Sequence, residues 1–147
     1  MANLYLAYGS NMNLKQMEVR CPTAKVVGKA TLKGYELLFK GVNGGAYATI
    51  KKNPDKETPV VVWEIDAIAE NRLDKYEGFP TLYGKSNLRV ELDGKKVSAM
   101  VYIMNRGPRL GMPEHHYYEG ILAGYEAAGF DPAILEDALD ASNPDPE

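Results

Sequence analysis

Glu77 and the run Tyr5-Leu6-Ala7-Tyr8-Gly9-Ser10-Asn11 are the residues of this chain whose types and settings best suit them to chemistry. The run begins as a strand. Leu4, Leu6 and Tyr8 fall on one face of a period-two pattern and Tyr5 and Ala7 on the other, so both faces are mostly apolar and the strand is expected to be buried. It then passes into Gly9-Ser10-Asn11, where glycine permits a sharp turn and the two polar side chains bond local backbone. Such a loop is expected to leave N–H donors in a concave nest that suits a carboxylate or a developing oxyanion. An ordinary turn uses the same three residue types, and the loop by itself does not choose between the two readings.

Glu77 owes its interest to the helix before it. Asp66 is placed to cap a helix over 67–76, Ile65, Ala69, Leu73 and Tyr76 are spaced to bury one stripe, and Gly78 is placed to end it. Glu77 then lies at the last turn, where the negative end of the helix dipole and the neighbouring Phe79, Pro80, Leu82 and Tyr83 both favour a protonated carboxyl. A carboxyl tuned upward in this way can take and return a proton near neutral pH, which makes Glu77 a candidate acid/base. The plain alternative is a solvated glutamate at a helix end.

Other chemistry has less support. His115 and His116 are adjacent, so their rings cannot converge on one metal from a regular helix or strand, and no Cys or acidic cluster completes a site. Ser10 with a histidine base would make a serine hydrolase, but the Gly-x-Ser-x-Gly elbow is missing. Gly41, Gly44 and Gly45 lack the Lys-Ser/Thr of a phosphate loop and the setting of a dinucleotide fingerprint, and hairpin turns explain them better. No metal and no cofactor is implied. The ten tyrosines and Trp63 read mainly as core and cavity walls.

The rest of the chain has to position these groups. At 147 residues with 45% apolar content, it suits one globular domain with a real core, 1–147, with 142–147 expected to fray. A net charge of −3 with scattered basic residues gives no footprint for nucleic acid or an anionic membrane, and no apolar stretch approaches membrane-spanning length. The single Cys21 excludes an internal disulfide, and Met1-Ala2-Asn3 leads directly into a strand, so cytoplasmic residence is expected. Asn13 can cap a short helix over 14–20, and strands are expected at 25–32, 35–39, 46–51 and 59–65, with Asn53-Pro54-Asp55 as a turn. Strands at 87–92 and 95–104 flank Asp93-Gly94 as a hairpin, in which Val97, Ala99, Val101 and Ile103 share one face and Met100, Tyr102 and Met104 the other. Helices are expected over 113–128, closed by Gly129, and over 132–141. Many antiparallel strands with few helices give an α+β domain.

In order and spacing, several segments resemble the gamma-glutamylcyclotransferase family over about residues 3–130. They are Tyr5 to Asn11, Gly44-Gly45-Ala46-Tyr47-Ala48-Thr49-Ile50, Val61-Val62-Trp63, Leu73-Asp74-Lys75-Tyr76-Glu77-Gly78, Tyr83, Tyr102 and the stretch from Pro113 to Gly124. The resemblance implies a curled, barrel-like mixed sheet flanked by helices. It implies that Glu77 is the catalytic acid/base and that Tyr5, Leu6, Ala7, Tyr8, Gly9 and Ser10 form the substrate-binding loop, with Asn11, Tyr83, Tyr102 and Tyr117 also about the substrate. The activity implied is cyclisation of a γ-glutamyl amide to 5-oxoproline with release of an amino acid or amine; the partner is then a small γ-glutamyl compound. Pro113-Glu114-His115-His116-Tyr117-Tyr118 departs from the family pattern. Counting back from Gly124 selects Tyr117 for the pocket, while an alternate register selects Tyr118. The loop from Asn105 to Arg109 has no family counterpart, and Arg106 and Arg109 are candidate contacts for the leaving group. A non-catalytic small-molecule binding or regulatory protein with the same pocket is the alternative from another class.

Overall fold

The computed structural model describes residues 3–144. Its helix ends follow from local chemistry. Asn13 caps α1 (Leu14–Arg20) by accepting the Gln16 N–H, and Asp66 caps α2 (Ala67–Glu77) by accepting the Ala69 N–H. Gly78 ends α2 in the left-handed region, at φ 66°, and Gly129 ends α3 (His115–Ala128) in the same way at φ 77°. Glu114 caps α3 with its carboxylate on the N–H groups of His116 and Tyr117, so this helix starts two residues later than the proline spacing predicts. The last helix, α4, spans Ala133–Ser142.

Five strands form one sheet in the order β2-β3-β1-β5-β4, where β1 is Asn3–Ala7, β2 Lys25–Lys40, β3 Tyr47–Ile65, β4 Tyr83–Leu92 and β5 Lys95–Met104. All neighbours are antiparallel except β1 and β5, so the sheet is mixed. Asp93 and Gly94 both take positive φ, 52° and 79°, as the turn between β4 and β5 requires. The four short strands expected between 25 and 65 are two long ones. Fourteen residues of β2 stay paired with β3 across the points expected to break, because the irregularities are absorbed as shifts in register. Lys33 pairs with Glu57 and Tyr35 with Lys52, which leaves 53–56 bulging from β3 opposite Gly34. The Asn53-Pro54-Asp55 chemistry is present there, with the Asp55 N–H on the Asn53 side chain at 3.0 Å, but it bends a strand and does not end one.

The sheet curls without closing into a barrel. Leu92 at the end of β4 reaches Gly28 of β2, where an added Cβ would stand 2.7 Å from it, yet β2 and β4 remain the two edges. Ser142, expected to begin a frayed tail, is fully buried, and its hydroxyl accepts the Phe39 N–H at 2.8 Å, pinning α4 to β2. Residues 145–147 of that tail lie outside the described residues. No helix of the described residues is long and apolar enough to cross a membrane.

One contact governs where the N-terminal loop sits. After β1 the chain makes a single 3-10 turn, Ser10–Met12, and α3 lies directly on it. A Cβ on Gly124 would meet Met12 Cβ at 3.0 Å and the Asn13 nitrogen at 3.2 Å, while Asn13 donates to the Gly120 carbonyl at 3.1 Å. The absence of side chains at 120 and 124 is what lets the helix approach. Gly124→Val should therefore lower stability by about 1–3 kcal/mol through overpacking, despite removing a helical glycine. Chemical denaturation measures it; wild-type stability in the variant would show that the helix does not constrain the turn.

Candidate active site

β1 ends at Ala7, paired with Val61, while β3 continues back to Tyr47, so the beginning of β3 has no strand on its β1 side. Side chains satisfy that edge. The Tyr83 hydroxyl donates to the Ala48 carbonyl at 2.6 Å and the Ala48 N–H donates to the Tyr117 hydroxyl at 3.0 Å; next to them the Thr49 hydroxyl accepts the Met104 N–H of β5 at 3.0 Å. The space left beside Ala48 is a cavity of about 260 Å³. Gly9, Ser10 and Asn11 line it from the turn, Glu77 and Gly78 from the end of α2, and the rings of Tyr5, Tyr8, Tyr83, Tyr102 and Tyr117 from the strands and α3. Gly9 is needed here for space and not for its dihedrals. Its φ is −122°, but a Cβ would lie 3.3 Å from Ala48 Cβ and 3.8 Å from the Tyr117 hydroxyl.

The turn is braced from three sides. The Trp63 indole donates to the Asn11 carbonyl at 3.1 Å, and the Asn11 amide donates to the Tyr5 hydroxyl at 3.0 Å. Arg20 donates to Asn11 Oδ1 at 2.6 Å. The turn's own hydrogen bonds run from Met12 and Asn13 to the carbonyls of Gly9 and Ser10. Its first N–H groups, at Ser10 and Asn11, therefore have no acceptor within the turn, as at the start of any helix. These donors border a cavity and can meet an anion or a polarised carbonyl.

Glu77 brings the opposing charge. No hydrogen bond or ion pair among the described residues reaches its side chain, and burial pushes its carboxyl up to about 7, with the Arg20 guanidinium acting in the opposite direction. The surrounding phenols stay neutral: burial, followed by the Glu77 charge, raises Tyr5 and Tyr8, and burial is the first cause for Tyr83 and Tyr117 as well. The site thus joins backbone donors, a carboxyl that titrates near neutrality and a wall of uncharged rings. That combination suits proton transfer to and from a nitrogen beside a carbonyl whose oxygen gains negative charge.

The structure sorts the residues singled out from sequence. Glu77, Tyr5, Tyr8, Gly9, Ser10, Asn11, Tyr83, Tyr102 and Tyr117 come together on the cavity, whereas Leu6 and Ala7 are buried in the core and do not line it. Of the two alternative tyrosines at the start of α3, Tyr117 faces the cavity and Tyr118 packs on Phe39 at 6.2 Å. Arg106 and Arg109 do not line it either; the backbone of their loop is held by β2, with the Gly41 N–H on the Arg109 carbonyl at 2.8 Å. Tyr102 contributes its ring, because its hydroxyl donates to Asp74 at 2.6 Å, and Asp74 pairs with Lys85 at 2.7 Å. The Ser10 hydroxyl is 3.1 Å from that of Tyr76 and 3.3 Å from Arg20, with no histidine among its partners, and His115 pairs instead with Glu119. A serine nucleophile has no base here.

Tyr47, Lys75, Tyr76 and Leu82 line the cavity without having been marked as site residues. Tyr76 was expected on the buried stripe of α2, but it is 43% exposed and Tyr47 is 48% exposed, so both rings stand at the mouth. Arg20 carried no sequence signal at all. A position in the last turn of a short helix, where a basic side chain is ordinary, hides its role.

Comparison with known proteins bears on the same residues. Residues 5–121 match the family model described as gamma-glutamyl cyclotransferase, AIG2-like. The chain is similar to the gamma-glutamylcyclotransferase of Homo sapiens, with 29% identity over 150 aligned positions that cover 96% of this chain and 79% of that one. Similarity to the gamma-glutamylcyclotransferase of Bos taurus is 32% over 110 positions, 69% of this chain and 58% of the other. A solved structure of a gamma-glutamyl cyclotransferase superimposes with a TM-score of 0.84 at 27% identity, covering 99% of this chain and 90% of that one.

The raised Glu77 carboxyl has a consequence for stability. The folded protein holds a proton on Glu77 between the ordinary value of 4.5 and about 7, where the unfolded chain has released it, so stability falls as pH rises through this window. Glu77→Gln removes that penalty. The variant should match wild type at about pH 4.5 and exceed it at about pH 8 in denaturation midpoint. A constant difference between the two proteins across this range would mean that the carboxyl is not held up by burial.

Proposed function

The chain belongs to the gamma-glutamyl cyclotransferase, AIG2-like family, and on that premise we propose that it is an enzyme that converts a γ-glutamyl amide to 5-oxoproline and a free amino acid or amine, with Glu77 as general acid/base. The observation that carries the reading is a carboxyl titrating near 7 across a cavity from the backbone donors of Ser10 and Asn11.

A γ-glutamyl amide contains its own nucleophile. Glu77, ionised, takes a proton from the substrate α-ammonium, and the freed amine attacks the γ-carbonyl carbon to close a five-membered ring. Negative charge moves onto the carbonyl oxygen, where the N–H groups of the turn stabilise it. When the carbon–nitrogen bond to the departing group breaks, protonated Glu77 gives its proton to that nitrogen; the ring nitrogen, which still carries one hydrogen more than the lactam, then yields its extra proton to the ionised Glu77, which passes it to the released amine. Protons and bonds balance, no water enters, and the reaction is an intramolecular aminolysis of lyase type. Folding the flexible glutamyl chain into attack geometry is the other task, and proximity of this kind can supply roughly 7 kcal/mol. The rigid rings of Tyr5, Tyr8, Tyr83 and Tyr117 provide walls for it.

The mouth of the cavity is where the departing group would lie. Tyr47, Tyr76, Leu82 and Lys75 border it, in place of the arginines of the 105–109 loop. Cytoplasmic residence is part of the same reading.

Incubation with a panel of γ-glutamyl compounds, read by mass spectrometry for 5-oxoproline, tests the activity. Glu77→Gln should lower turnover on any accepted substrate by at least about 10²-fold, the usual loss with a general acid/base, while the fold survives. For wild type, kcat/KM should rise with pH through about 7, as Glu77 must be ionised to accept the first proton. Near-normal turnover in the variant would refute the role given to Glu77.

A further inference from the structure

Arg20 joins the two halves of the site without lining the cavity. Its Nη1 donates to Asn11 Oδ1 at 2.6 Å and to Ser10 Oγ at 3.3 Å, and its Nη2 donates to Gln16 Oε1 at 2.9 Å. The guanidinium carbon stands 3.9 Å from the centroid of the Tyr76 ring, and the Tyr76 hydroxyl returns to Ser10 Oγ at 3.1 Å. One planar cation therefore touches α1, the 3-10 turn and α2. The turn carries the N–H donors, and α2 carries Glu77 one residue beyond Tyr76.

We propose that Arg20 is a positioning residue: it clamps the Ser10–Asn11 turn to the last turn of α2 and so fixes the backbone donors relative to the Glu77 carboxyl. The assignment rests on the cyclotransferase reading of the cavity. Geometry favours arginine for this task. The contacts diverge from one flat group, with two nitrogens directed at three side chains in the plane and a ring stacked on its face, a set that the single ammonium of lysine cannot reproduce. Half-buried between these partners, the guanidinium is held on one face by Tyr76 and at both Nη groups by hydrogen bonds, so the turn cannot move away from α2 without breaking charge-assisted hydrogen bonds.

The charge of Arg20 has a second effect. The groups that face Glu77 from other elements are Tyr5 on β1, Tyr8 beyond its end, Tyr83 on β4 and Tyr117 on α3, all neutral phenols, together with Arg20 on α1. Arg20 is the charged member of that set and favours the ionised carboxyl against its burial. Lys75, on the helix of Glu77 itself, is exposed.

Two variants separate the clamp from the charge. Arg20→Gln loses both, and Arg20→Lys keeps the charge without the fork. The Glu77 carboxyl is followed by carbon NMR of labelled protein, and KM and kcat are measured on an accepted γ-glutamyl substrate. Arg20→Gln should raise KM about tenfold, as expected for loss of a charge-assisted contact set, and move the Glu77 titration to higher pH. Arg20→Lys should return the titration close to wild type yet leave KM raised. Folded variants with wild-type KM and an unmoved titration would overturn the assignment; if Arg20→Gln does not fold, a wild-type KM in Arg20→Lys overturns it. Wild-type protein that yields no 5-oxoproline would defeat the cyclotransferase reading separately, and an unmoved Glu77 titration in Arg20→Gln would then overturn the link between Arg20 and Glu77 as well.

Discussion

A carboxyl group set at the C-terminal end of a helix, among tyrosine rings and with no hydrogen bond from any described residue, is disfavoured in its charged form, and the capped helix that carries it holds it there. Asp66 and Gly78 cap both ends of α2 and so oppose unwinding of the turn that carries Glu77. The phenols that face it are themselves tied: Tyr8 donates to the Tyr102 carbonyl at 2.6 Å, Tyr83 to the Ala48 carbonyl, and Tyr117 accepts the Ala48 N–H. With the hydroxyl protons of Tyr8 and Tyr83 committed to backbone carbonyls, those two rings present surfaces and not donors, while Tyr117 is held as an acceptor; burial among these rings desolvates the carboxyl. A proton affinity near neutrality is the chemical product of that packing.

The same constraint explains the irregular part of the sheet. β1 stops at Ala7 while β3 runs on to Tyr47, and the unpaired edge at Ala48 would be costly if left bare. Tyr83 and Tyr117 satisfy it with side chains in place of a strand, which leaves room beside it. The cavity is in this sense a missing length of strand. Glycines then keep it open and close to its neighbours: Gly9 spares the space beside Ala48, and Gly124 lets α3 press on the turn.

Much of this was legible in the sequence where the signal was local. Asn13, Asp66, Gly78, Gly129 and the Asp93-Gly94 turn act within a few residues of themselves, and the structure uses each as its chemistry suggests. Asn53-Pro54-Asp55 misled because turn chemistry cannot say whether the chain reverses; with β2 paired on both sides of it, the segment bulges and continues. Ser142 misled for a related reason. A polar residue near a terminus reads as solvated, and only the distant Phe39 N–H shows why it is buried. Within the site, the segments around Gly9 and Glu77 stood out by residue type, but their meeting depends on contacts nearly seventy positions apart, such as that between Ser10 and Tyr76. Arg20 and Tyr47 matter only through those contacts, and nothing in their local setting marks them.

Ring closure without water is the chemical claim at the centre of this reading, and isotope labelling tests it most directly. The reaction is run to completion with an accepted γ-glutamyl compound in water enriched in heavy oxygen, and the glutamyl product is weighed. Intramolecular aminolysis predicts 5-oxoproline that carries no heavy oxygen, formed in equal amount to the released amine. Glutamate bearing a heavy oxygen in its γ-carboxyl, or 5-oxoproline appearing only after such glutamate, would contradict it and make the protein a hydrolase.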